Sequence, residues 1–113
     1  MSSPNIAILV LGFNHMQTLG DTLESALQQE YTPAKLFYID NASSDGSVNF
    51  VQQKFPQVTI ISNKQNLGYA GGYDVVIRKV FQEGYDAAVL LNPDTFVTKD
   101  WLIELVRSAY SDP

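Results

Sequence analysis

Ile6-Ala7-Ile8-Leu9-Val10-Leu11-Gly12-Phe13-Asn14 is a continuous aliphatic run that stops abruptly at a glycine, an aromatic ring and an amide. A short apolar run bounded by a turn fits a strand buried on both faces, as in a parallel sheet. Leu36 to Ile39, Val58 to Ile61 and Ala87 to Leu91 have the same character and predict three further buried strands. Between them apolar residues recur at helical spacing. Leu19, Leu23, Ala26 and Leu27 form one stripe, and Tyr69, Tyr73, Val76, Ile77, Val80 and Phe81 a longer one, each expected to face the sheet. A shorter helix is expected from Ser47 to about Lys54, with Ser44 or Asp45 as its cap and Pro56 after its end. A last helix, capped by Thr98 and with Asp100 near its positive end, carries Trp101, Leu102, Leu105, Val106 and Ala109 on one side.

The resulting β-α-β-α-β-α-β-α order predicts one α/β unit with a doubly wound, mainly parallel sheet in strand order 3-2-1-4, flanked by helices. In that order the chain reverses direction between strands one and four, and a cleft forms there beyond the carboxyl ends of the strands. Its rim receives Gly12, Phe13 and Asn14 from strand one, Asp40 and Asn41 from strand two, and Asn92, Pro93 and Asp94 from strand four.

Composition narrows the partners. The 113 residues are 45% hydrophobic, enough for one core. Twelve acidic against seven basic side chains give a net charge of −5, with the basic residues scattered, so no nucleic-acid partner is expected. The absence of cysteine excludes disulfides, thiolate zinc sites and cysteine nucleophiles, and agrees with a cytoplasmic location. Met1 to Asn5 lacks the charged start of a signal peptide, and Ile6 to Leu11 is too short to span a membrane. The single histidine, His15, excludes a multi-histidine metal site and is expected to be a surface residue at a helix start.

Each rim segment admits two roles. Asp40, in Asp40-Asn41-Ala42-Ser43-Ser44-Asp45-Gly46-Ser47, can accept hydrogen bonds from the imide nitrogen or hydroxyls of a pyrimidine nucleoside, or it can satisfy turn amides together with Ser44. For Asp45 and Ser47 the turn role is the expectation. Phe13 can stack on a planar base or belong to the core, while Gly12 lets the backbone approach a ligand. Asn66-Leu67-Gly68-Tyr69-Ala70-Gly71-Gly72 precedes the longest helical stripe, where amides can face an anion; it lacks both the dinucleotide glycine pattern and a phosphate-loop lysine, and its glycines can equally serve packing. Lys64 either reaches a ligand or is solvated. Asp94 can hold Mg²⁺ or Mn²⁺ that bridges two phosphates, since such ions accept few protein carboxylates when phosphate supplies the rest, or it can close an Asx-type turn.

In order and spacing these segments together resemble family 2 glycosyltransferases of the GT-A type. The matching stretches are Ile6 to Asn14, Tyr38 to Ser47, Asn66-Leu67-Gly68, and Leu90-Leu91-Asn92-Pro93-Asp94-Thr95, and they cover nearly the whole chain. The resemblance implies transfer of a sugar from a nucleoside diphosphate, UDP- or dTDP-linked, to an acceptor hydroxyl in polysaccharide or glycoconjugate synthesis. It implies nucleotide binding by Gly12, Phe13, Asn14, Asp40, Asn66, Gly68 and Asn92, and a divalent cation, Mg²⁺ or Mn²⁺, on Asp94. Asn92-Pro93-Asp94 is similar to the variant of rhamnosyltransferase-like members, in which an amide replaces one carboxylate and lowers metal affinity in the absence of nucleotide.

On this resemblance residues 1–113 form the N-terminal nucleotide-sugar-binding portion, without the acceptor-binding portion and its catalytic base. Asp100, Glu104 and Asp112 are expected to be surface residues. The full-length protein would be cytoplasmic or membrane-associated, and a bare edge on strand four would allow homo-oligomers. Two other functions compete. A nucleotidyltransferase would carry a glycine-rich basic loop where this chain has Gly12-Phe13-Asn14-His15. A non-catalytic α/β module would use Asp40 and Asp94 to hold nucleotide or metal and transfer nothing.

Overall fold

A computed structural model of the chain describes residues 3–110. Its elements are β1 (Ile6–Gly12), α1 (Met16–Leu27), β2 (Ala34–Asp40), α2 (Ser47–Lys54), β3 (Thr59–Ser62), α3 (Gly68–Gln82), β4 (Ala87–Leu91) and α4 (Trp101–Tyr110). All strand pairs are parallel and the four-stranded sheet runs β3-β2-β1-β4, the doubly wound order that the alternation predicts.

Strand alternation assigns every side chain of β1 to one of two cores. Ile6, Ile8 and Val10 join Leu36 and Tyr38 of β2 beneath Leu19 and Leu23 of α1, Val51 of α2 and Leu102 of α4. Ala7, Leu9 and Leu11 join Phe37 and Ile39 beneath Tyr73, Val76 and Val80 of α3. Burying one such large aliphatic side chain contributes about 1.5–3 kcal/mol, so these two layers rather than helix propensity hold the helices in place. Because α3 lies on the face opposite α1 and α2, the winding reverses between β1 and β4.

The borders of the elements depart from the sequence expectation where the sheet ends. β2 starts at Ala34, and β3 starts at Thr59 while Val58 stays buried in the preceding turn. Tyr69 and Phe81 lie outside the core beneath α3; they are 59% and 49% exposed, and the Tyr69 ring lies edge-on to that of Tyr73. On α4, Leu102 is buried but Leu105 and Ala109 are exposed, since β4 pairs only with β1 and leaves little sheet for them to cover.

Two helix starts also differ in detail. The Thr98 hydroxyl donates to Asp100 Oδ1 at 2.7 Å instead of accepting from a helix amide, and the Trp101 amide reaches the Thr98 carbonyl at 3.1 Å. At α2 the cap position is Gly46, left-handed at φ 88°. Of the two proposed caps, Asp45 is the one used, accepting from the Ser47 amide at 3.0 Å and from its hydroxyl. Asp112 lies outside the described residues. Among the described residues no helix is long and apolar enough to cross a membrane.

Candidate functional site

The cleft begins where β1 and β4 part. Their pairing ends at Val10 and Leu91. There the Tyr73 hydroxyl accepts from the Leu11 amide at 3.2 Å and donates to the Leu91 carbonyl at 3.4 Å, so that buried backbone groups of the diverging strands keep a partner. Burial pushes the Tyr73 phenol up to about 12, which keeps it a neutral donor. Beyond this wedge lies a cleft of about 400 Å³, lined by Leu11, Phe13 and His15 from β1 and its turn, Asn41 after β2, Asn66, Gly68 and Tyr69 around the start of α3, and Asn92, Pro93 and Asp94 after β4.

Of the residues that the sequence singles out, Phe13, Asn66, Gly68, Asn92 and Asp94 meet in this cleft. Phe13 is 43% exposed, which excludes the core role for its ring. Gly12, Asn14 and Asp40 stand elsewhere. A Cβ at Gly12 would stand 3.1 Å from both Cε1 and the hydroxyl of Tyr38, a tight contact, so this glycine eases close packing within the sheet. Asn14 is left-handed at φ 56° and lines the neighbouring depression of about 760 Å³ with Gln17, Thr18, Ser44 and Asp45. Its amide donates to Ser43 Oγ at 2.9 Å and its Oδ1 accepts from the Ser44 amide at 2.8 Å, clasping the two turns together.

Asp40 is only 1% exposed and points away from the cleft. Its Oδ1 accepts from the Tyr38 hydroxyl and its Oδ2 from the Ser43 amide at 2.8 Å. Burial and the bond to Asp40 together push the Tyr38 phenol far above its ordinary range. Strand alternation accounts for the placement. Asp40 shares the parity of Leu36 and Tyr38 and faces α1 and α2, whereas Asn41 shares that of Phe37 and Ile39 and faces α3.

Asn41 is the residue that sequence reasoning placed at the rim without giving it a task. It is 2% exposed, and its Oδ1 accepts from Asn63 Nδ2 at 3.0 Å and from the Leu67 amide at 3.3 Å. Its Nδ2 donates to the Gly68 carbonyl at 3.0 Å. The end of β2 is thereby tied to the turn that opens α3. Gly72 leaves room for this fit: a Cβ there would stand 2.5 Å from Leu11 Cδ1 and 3.1 Å from Asn41 Nδ2, so that side chains would have to shift. The parity of Asn41 with Phe37 and Ile39 was the available signal.

On the far wall, the Pro93 carbonyl accepts from Thr18 Oγ1 at 2.9 Å and Thr22 Oγ1 at 2.8 Å, pinning the Asn92–Asp94 turn to α1. The turn closes through its backbone, with the Thr95 amide 3.2 Å from the Asn92 carbonyl. Asn92 and Asp94 are exposed. Among the described residues no group of three or more His, Cys, Asp or Glu comes together, so a cation here would meet Asp94 as its one carboxylate. Asp100 bonds Thr98, and Glu104 pairs with Arg107 at 2.9 Å on the surface; neither lines the cleft, nor does Lys64. His15 does line it, and its Nδ1 accepts from the Phe13 amide at 3.2 Å.

Residues 7–113 match the family model described as Glycosyl transferase family 2, and the chain belongs to that family. It is 32% identical over 84 residues to Uncharacterized protein Rv1525 of Mycobacterium tuberculosis (strain ATCC 25618 / H37Rv), a match covering 72% of this chain and 32% of the relative. It is 24% identical over 110 residues to poly-beta-1,6-N-acetyl-D-glucosamine synthase of Staphylococcus aureus (strain COL), covering 96% of this chain and 26% of that protein. The mannosyltransferase PcManGT from Pyrobaculum calidifontis, solved in complex with GDP-Man and Mn²⁺, superposes with a TM-score of 0.78 at 20% identity, over 99% of this chain and 34% of that one. For S. aureus TarS 1-349 in complex with UDP-GlcNAc the TM-score is 0.75 at 15% identity, over 89% of this chain and 30% of that one. The architecture is thus the GT-A, Rossmann-like one. The chain spans a third or less of the length of the curated relatives named here.

Proposed function

We propose that this chain is the donor-binding part of a glycosyltransferase that moves a sugar from a nucleoside diphosphate to an acceptor hydroxyl. One observation carries this reading: residues from three separate strand ends, Phe13, Asn41 and Asn92 to Asp94, converge with the start of α3 on one cleft at the point where the winding reverses. Phe13 offers an exposed ring for the base, with Tyr69 on the α3 side and the exposed Asn66 supplying an amide group, while Asn41 holds the α3 turn in place beneath them. Asp40 serves the site from below, by fixing the turn through Ser43. Asn14 and Gly12 likewise shape the rim rather than line it.

The donor set on the far wall fits a hard divalent cation. Asp94 is an exposed carboxylate without a side-chain hydrogen bond among the described residues, and Mg²⁺ or Mn²⁺ needs only one or two protein carboxylates when phosphate oxygens complete its shell. When bound, such an ion neutralises charge on the departing diphosphate. Asn92 beside it keeps an oxygen donor while removing one negative charge, so nucleotide and cation bind together more tightly than either alone. The Mn²⁺ and GDP-Man in the mannosyltransferase complex, and the UDP-GlcNAc in TarS, support a nucleotide-sugar ligand of this kind. A UDP- or dTDP-linked donor fits the polar edge that Asn66 presents beside the Phe13 ring. The S. aureus synthase supports a place in polysaccharide assembly. Asp94, the one carboxylate among the described residues that line the cleft, would be engaged by the cation and is therefore not offered as the base for the acceptor hydroxyl.

Titration of the chain with UDP, dTDP and GDP in the presence and absence of Mn²⁺, followed by amide NMR shifts, tests the assignment. Shifts clustered at Phe13, Asn41, Gly68 and Asn92 to Asp94 are expected, strengthened by the cation. A folded sample whose spectrum does not respond to any of the three nucleotides overturns it.

A further inference from the structure

The turn after β1 holds a device that the donor-binding role leaves unused. Asn14 is left-handed at φ 56°, and this folds the chain back so that the His15 ring comes under the amide of Phe13, with Nδ1 accepting from it at 3.2 Å. A neutral imidazole that accepts at Nδ1 carries its hydrogen on Nε2. The ring also stands between the cleft and the neighbouring depression, lining both. Among the described residues no lysine or arginine lines the cleft, and Asp94 adds negative charge to it. A diphosphate placed there needs donors, and donors to an anion form the stronger class of hydrogen bond.

We propose that His15 is a positioning residue for the nucleotide, its Nδ1 fixing the backbone that carries the Phe13 ring and its Nε2–H donating to the diphosphate. The proposal rests on the donor-binding reading and specifies which part of the ligand each edge of the ring serves. When a base covers Phe13, water is displaced from the amide, and the Nδ1 bond keeps that amide satisfied without it. The same ring then places a donor on the phosphate side. Stacking and diphosphate recognition thereby depend on one side chain.

Asparagine and glutamine separate the two edges, because an asparagine oxygen falls near the position of Nδ1 and a glutamine nitrogen near that of Nε2. Calorimetric titrations of the full chain with UDP and with uridine, both with Mn²⁺, are compared for the parent, His15→Asn and His15→Gln, with dTDP and thymidine as a second pair. In His15→Asn the loss of affinity for the diphosphate exceeds the loss for the nucleoside by about tenfold or more. In His15→Gln both affinities fall together, and the Phe13 amide exchanges faster with solvent than in His15→Asn. An unchanged ratio of diphosphate to nucleoside affinity in His15→Asn overturns the role of His15 while leaving the donor site standing. A parent chain that binds none of these nucleotides overturns both.

Discussion

The two walls of the cleft are held in opposite ways. On the β1–β2 side, the side chains that shape the rim are themselves consumed in holding it. Asn41 bonds Asn63, Leu67 and Gly68, Asp40 bonds Tyr38 and Ser43, and Asn14 clasps Ser43 and Ser44. On the β4 side the turn is gripped by its backbone, through the Pro93 carbonyl and the hydroxyls of Thr18 and Thr22, and the side chains of Asn92 and Asp94 remain exposed. His15 apart, the polar side chains of the first wall are taken up in holding its shape, whereas those of the second are left exposed. Substitutions on the first should therefore cost stability, and on the second affinity.

Asp94→Ala is the sharpest way to break that contrast. Loss of a charged partner of about 1.5–3 kcal/mol lowers affinity for nucleoside diphosphate with Mn²⁺ by roughly 10- to 100-fold, with no change in thermal midpoint. A large fall in midpoint would show that the β4 turn, too, depends on its side chains. Asn41→Ala should do the reverse first. The Leu67 amide loses its acceptor and the Gly68 carbonyl its donor, and an expected loss of about 2 kcal/mol lowers the thermal midpoint by roughly 10 °C. Nucleotide affinity falls as a consequence of the loosened α3 turn.

Tyr73→Phe probes the wedge between the walls. It leaves the buried Leu11 amide without its acceptor and should cost about 1–2 kcal/mol in chemical denaturation, while a variant as stable as the parent would mean the strands part without help from that hydroxyl. The smallest effect is expected at Asp45, exposed between the starts of α1 and α2. Partial burial raises its carboxyl, but bonds from Ser47 and the Met16 amide outweigh this and hold it below the usual carboxylate range. A depressed folded value adds stability above the unfolded value of about 3.9 and loses it as pH falls through the folded value. Asp45→Asn should therefore lower stability at pH 7 by less than about 1 kcal/mol, given its exposure, and flatten the decline seen in melts below about pH 4.

The four apolar runs and the stripes between them were enough to place every element, because burial on both faces leaves central strands no polar alternation to hide in. The turns that meet at the cleft were also legible, since a glycine, proline or amide stops each run. Task within a turn was not. Asp40 and Asn41 are neighbours of similar size, yet alternation sends one into the α1–α2 core and the other to the α3 side, and no local pattern states which face the cleft will occupy. Leu105 and Ala109 keep helical spacing and face the edge strand β4 across an open groove, yet stay exposed, because a periodic stripe records a face and not the extent of what covers it.

By itself, then, the sequence determined the alternation of strands and helices, the parallel sheet and the loops that meet at its reversal, all of which follow from local spacing and burial. Only the tertiary structure decided that Tyr73 wedges β1 from β4, that Asn41 latches the turn before α3, and that His15 sits under Phe13. Those contacts join residues by way of left-handed turns and packed faces, and their geometry exists only once the two cores have closed on the sheet.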